Sequence, residues 1–133
     1  MAYIKSLFRS DDAQLMIIVD TDTGAPLKND KGDEMGIFLN SLKCEDCKKV
    51  ISQFQRQHKK RDASMAERER FGIELLVAAT VDFHNIQLEE KGKVIEYSDE
   101  LARDIYEKSD IIRRQVDEYL GKDEHFLTSA LKS

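Results

Sequence analysis

Two short apolar runs stand out in the first third of the chain, LMIIV from Leu15 to Val19 and MGIFL from Met35 to Leu39. Runs of this length, bounded by polar residues, read as buried strands. The stretch between them is rich in Asp, Asn, Gly and Thr, so the pair predicts a β-hairpin with a long mobile connection. The period then changes. Cys44, Cys47, Ile51, Phe54 and His58 recur at spacings of three and four, the stripe of an amphipathic helix that Ser41 can cap.

Ser64 followed by Glu67 is a capping box, and the run from Met65 to about Phe83 predicts a central core helix with Phe71, Leu75, Leu76, Ala78 and Ala79 on its apolar face. NIQLEEKGKVIEY holds a Lys-Gly turn between two apolar pairs and predicts a small hairpin or an irregular loop. Ser98, with Asp99 and Glu100 behind it, starts a short helix carrying Leu101, Ile105 and Tyr106. Ser109 or Asp110 caps another, with Ile112, Val116, Tyr119 and Leu120 inward and Gly121 as terminator. Asp123 to Leu131 repeats the pattern with Phe126, Leu127, Ala130 and Leu131. The prediction is an α+β, predominantly helical fold, an N-terminal β-hairpin followed by four or five short-to-medium helices in one domain, 1–133.

Composition agrees with a folded, well-solvated chain: 41% of residues are apolar and 35% charged, neither a disordered nor a membrane-embedded balance. A chain of 133 residues buries roughly two-thirds of its unfolded surface, enough for a core without metals or disulfides. No apolar run approaches the ~20 residues of a membrane helix, and MAYIKSLFRS lacks a signal-peptide pattern, so a cytoplasmic location is expected. The net charge of -5 argues against general nucleic-acid binding. The segment from Lys43 to Arg70 departs from it, with nine Lys and Arg against five Asp and Glu. Its basic run RQHKKR, 56 to 61, lacks interleaved aromatics and reads as a solvated helix end.

Three stretches invite chemistry. IIVDTDTGAP, 17 to 26, contains DTGA, similar to the active-site loop of retroviral-type aspartic proteases, whose two carboxylates share a proton. Asp20 two positions upstream and the helical remainder fit that family poorly. The same stretch resembles the first motif of haloacid-dehalogenase-type phosphatases, but too few later strands follow to carry their Lys and acidic pair. A calcium loop starting at Asp20 would need Gly and Glu where Ala25 and Lys31 stand. Turn chemistry is the preferred reading. CEDC could chelate zinc or hold a reactive thiol, yet zinc needs four ligands, and His58, His84 and His125 are scattered singly. Both cysteines fall on the apolar stripe, where thiols behave as small hydrophobes. No serine sits in a nucleophile elbow.

Three segments in order resemble the short tail assembly chaperones of long-tailed, HK97-like phages. The first is DTDTGAPL, then GIFLN, then CEDCKKVISQFQRQHKK: an acidic-Thr-Gly turn, a strand and a polar helix, with Cys47 where a serine is more usual. The second is ELLVAATVDFHNIQLEEKGKVIEYSDELARDIYEK, a Leu-Ala-rich helix running into an aromatic, an acidic glycine-containing link and a Ser-Xaa-Glu helix start, with Phe83 in the place of the usual tryptophan. The third and most specific is SDIIRRQVDEYLGKDEHFL, a helix with Arg-Xaa-Gln-Val, a small acidic turn and a His-Phe helix. Together they span about residues 20 to 127.

The resemblance implies a non-enzymatic protein with no cofactor, metal or catalytic residue. It would keep the phage's tape measure protein soluble in the host cytoplasm, assist tail tube protein to polymerise around it, and leave before the virion matures. It also implies homo-oligomers and, often, a longer frameshifted product. The apolar stripe Phe126, Leu127, Ala130 and Leu131 is the expected partner-binding surface, because a terminal helix can dock on its own core or on a neighbour. The rival expectations are a small enzyme using Asp20, Asp22 and Gly24, or a metal- or nucleic-acid-binding module using Cys44 and Cys47.

Overall fold

The computed structural model describes residues 13–122. The two apolar runs form β1 (Gln14–Ile17) and β2 (Gly36–Leu39), paired antiparallel with Ile17 opposite Gly36 and Gln14 opposite Leu39. Then come α1 (Glu45–Gln57), α2 (Met65–Ala79), β3 (Thr80–His84), α3 (Asp99–Lys108) and α4 (Asp110–Leu120). β3 adds antiparallel to the other side of β2, giving a three-stranded sheet in the order β1-β2-β3. The fold class is α+β, as the residue pattern predicts.

The sheet buries one face by alternation. Ile37 and Leu39 of β2 are wholly buried, while Phe38 between them turns to the other side and meets the His84 ring edge-on at 5.6 Å. Met16 and Ile18 flank them. Against this face lie Ile73, Leu76 and Val77 of α2, Ala102, Ile105 and Tyr106 of α3, and Val116 and Leu120 of α4. Each of these helices begins on a serine whose hydroxyl accepts a third-residue N–H: Ser64 from Glu67, Ser98 from Leu101 and Ser109 from Ile112.

The central helix is shorter than its pattern predicts. It stops at Ala79, and Thr80 to His84, including Phe83, are strand rather than helix. Thr80 makes the corner. Its N–H donates to Val77 O, its hydroxyl donates to Leu76 O at 2.7 Å, and Asn40 N takes up Ala79 O. Val81 bulges from the register opposite Phe38 and Leu39. Ser41 does not cap α1. It forms the turn before it, accepting from Lys43 N at 3.1 Å, and Cys44 occupies the N-cap without capping through its side chain.

The connection between β1 and β2 is not a loose loop. Bridges pair Val19 with Pro26 and Lys28 with Glu34, extending the hairpin beyond its strands. Asn29, buried at the tip, accepts from Lys31 N and Asp33 N and donates to Asn85 O. Asp30 and Gln87 exchange two bonds, so this segment is stitched to the 85–97 connection, itself pinched by a Gln87–Val94 bridge. On the other side Gln115 of α4 clasps Val19 through both backbone groups, Val19 N to Oε1 at 3.0 Å and Nε2 to Val19 O at 2.9 Å.

Candidate functional site

α1 has a strongly apolar side, but α2 covers only part of it. Among its thirteen residues one side chain, Cys47, is fully buried. Val50, Ile51 and Phe54 stay half-buried. Phe54 lies on Phe71 of α2, ring centroids 4.2 Å apart and planes 18° apart, and the His58 ring leans on Phe54 at 4.5 Å. Stacked rings add roughly 0.5–1.5 kcal/mol beyond their buried area, which ties α1 to α2 near their connection. Phe54 and Phe71 thus lie outside the buried core where their spacing had placed them.

The rings form the floor of a hollow of about 350 Å³, walled by Val50, Gln53, Gln57, Arg70 and Glu74. A second hollow, about 480 Å³, opens on their other margin beside Ala63 and Arg68. His58 joins the two. Its side chain is only 9% exposed, its Nε2 lies 3.5 Å from Glu67 Oε2, and its Nδ1 is buried with no hydrogen-bond partner. A buried polar atom left unsatisfied costs about 1–3 kcal/mol.

The wall beside His58 is electrostatically fixed. Glu67 accepts two bonds from Arg61 and one from Ser64 N, and these, the Arg61 bonds foremost, hold its carboxyl down to about 2. Glu74 is tied to Arg103 of α3, with Nη2 3.0 Å from Oε2. The site therefore offers a flat aromatic floor, amide side chains and charges of both signs at the rim, a surface suited to an amphipathic helix rather than to a small polar substrate.

The other sequence candidates separate in space. In the 20–25 segment Asp20 Oδ1 accepts from Asp22 N, Thr23 Oγ1 accepts from Ala25 N, and Gly24 adopts a left-handed φ of 73°. These are turn bonds, and both aspartates are exposed. The two cysteines differ in exposure. Cys47 is wholly buried, and burial pushes its thiol well above the ordinary range, whereas Cys44 is only half-buried and borders an open groove. Among the described residues no three His, Cys, Asp or Glu converge as a metal site, and no helix is long and apolar enough to cross a membrane. Phe126, Leu127, Ala130 and Leu131, the partner-binding stripe expected from the pattern, lie outside the described residues, as does His125.

The chain matches no family model, no curated protein and no solved structure. The α1–α2 groove is what sequence reasoning missed. A signal existed: a stripe flanked by Gln53 and Gln57 and ending on His58 has too little apolar width to be covered on all sides by a core.

Proposed function

We propose that the chain is a tail assembly chaperone of a long-tailed phage, holding apolar helical segments of the tape measure protein in the groove between α1 and α2. The observation that carries this reading is the stacked Phe54–Phe71 pair, left half-buried where α2 meets α1, a helix that hides one side chain of thirteen. The partner's identity rests on the three resembling segments. They fall on the hairpin turn with β2 and α1, on α2 through β3 to α3, and on α4.

Long helical proteins present apolar stripes that associate in water, and a partner that covers a stripe while keeping charges outward holds them in solution. The net charge of -5 and the mixed-sign rim of the groove meet the second requirement. Tail tube protein as a further partner, self-association, action in the host cytoplasm and departure before maturation belong to the same reading.

Co-expression with the tape measure protein tests it. The partner should stay in the supernatant with this chain and sediment without it, and Phe54→Ala with Phe71→Ala should reduce the soluble fraction several-fold while the variant itself stays folded. Equal sedimentation with and without this chain refutes the reading. Full rescue by the double variant refutes the groove.

A further inference from the structure

Cys44 and Cys47 are the chain's two cysteines, and the fold places them together with unequal access. Cys44 is the N-cap of α1, with φ -69° and ψ 163° outside the helix, and its side chain makes no capping bond. Cys47 sits one turn on, wholly buried, its Sγ 3.8 Å from Leu75 O of α2. Residues three apart on a helix have Cβ atoms about 5–6 Å apart, and a disulfide asks for about 3.5–4.5 Å. Cys44 is the extended N-cap rather than a helical residue, so the difference is made up at the first turn, where Cys44 N donates to Ser41 O and Cys44 O accepts from Lys48 N, with the body of α1 left in place. The Cys44 thiol is near enough to add, after burial, to the raising of the Cys47 thiol.

Beside Cys44 lies a groove of about 850 Å³, lined also by Thr80, Val81, Lys48 and Tyr97. That space admits a molecule of tripeptide size to the outer sulfur and leaves the inner one covered. A zinc reading fails here, since no third ligand from the described residues converges on the pair.

We propose that Cys44 and Cys47 form a thiol–disulfide exchange site that reacts with low-molecular-weight disulfides, Cys44 being the attacking thiol and Cys47 the resolving one. In the first step the Cys44 thiolate attacks one sulfur of the disulfide. The disulfide's S–S bond breaks, a mixed disulfide forms on Cys44, and the other half leaves as a thiolate that takes up the proton Cys44 released. In the second step Cys47, giving its proton to water, attacks the Cys44 sulfur, and the second half leaves as a thiol. The chain loses two electrons and two protons, and the small disulfide gains both. Burial of Cys47 keeps that thiol protonated, so the second step is the slower one and quickens as pH rises.

The test is a redox titration of the intact, folded chain in glutathione buffers, trapped with a maleimide and weighed. Both thiols should disappear in a single two-electron transition, the mass falling by two hydrogens, with no glutathione retained and no intermolecular dimer. Cys47→Ala should accumulate one glutathione per chain on Cys44, and Cys44→Ala should leave Cys47 unreactive until denaturant is added. Two results overturn the proposal: a native chain that stays fully reduced in buffers where the urea-unfolded chain forms the bridge, or one that keeps glutathione on Cys44 without resolving it. The wild-type titration decides by itself should either variant fail to fold.

Discussion

The buried contact between Thr80 and Tyr106 provides the sharpest test of the packing. Thr80 has one hydroxyl proton, and it is committed to Leu76 O at 2.7 Å. The 2.7 Å contact with Tyr106 must then have the tyrosine as donor and Thr80 as acceptor. Tyr106 is 0% exposed and Thr80 6%, so no water replaces either partner. Tyr106→Phe removes a donor and leaves Thr80 still bonded to Leu76, a loss of about 1 kcal/mol. Thr80→Val is nearly isosteric and suits a strand, but it strands the Tyr106 O–H and takes away the hydroxyl that serves Leu76 O. Two buried groups losing partners should cost about 2–4 kcal/mol. In the Tyr106→Phe background the same Thr80→Val change should cost at least about 1 kcal/mol less, since no orphaned tyrosine hydroxyl remains. Urea unfolding followed by circular dichroism on the four proteins of the cycle measures all three quantities. If Tyr106→Phe proves the costlier single change the assigned donor direction is wrong, and if the two changes add the Thr80–Tyr106 bond itself is refuted.

Gly36→Ala should destabilise by at least about 1–3 kcal/mol, because the new Cβ would lie 2.6 Å from Met16 O and 2.8 Å from Leu15 Cδ1, and a paired backbone carbonyl cannot step aside. Its urea midpoint, compared with that of Gly72→Ala, where a Cβ meets nothing within 4 Å, reports the effect. Ser64→Ala removes half of the α2 capping box and should cost about 1 kcal/mol. Glu67's folded value is depressed to about 2, so its contribution is full above the ordinary 4.5 and fades as pH falls toward 2; the acid limb of a thermal-melt series should flatten in the Ser64→Ala variant. Burial raises the hydroxyls of Tyr97, Tyr106 and Tyr119, that of Tyr106 from 10 to about 12. The folded state therefore keeps protons that the unfolded chain gives up, and stability should drop as pH rises from 10 toward 12, less steeply in Tyr106→Phe.

What the residues alone determined is what depends on near neighbours. LMIIV and MGIFL are strands within a residue or two of their apolar limits, and Ser64, Ser98 and Ser109 start helices where their side chains reach an N–H three residues ahead. Both are local arrangements, written in adjacent letters. The turn at Asp20 to Ala25 is equally local, and its bonds span two residues. Gln115 and Val116, in the segment that carries the most specific part of the resemblance, hold Val19 and fill the core, but nothing in their spacing announces the Val19 clasp.

Only the tertiary structure decided the rest. VAATVDF has no Gly or Pro to end a helix, and Thr80 and Val81 become strand because β2 presents a free edge and Asn40 reaches Ala79 O. That edge is supplied by residues some forty positions upstream in the chain, where no local period registers it. Likewise the stripe of α1 is apolar whether or not something covers it. Leaving Phe54 half-buried and Cys44 at a groove, with Cys47 sealed beneath, follows from α1 meeting α2 along one side alone. Periodicity says which residues can be buried, and the placement of the remaining elements determines which of them are.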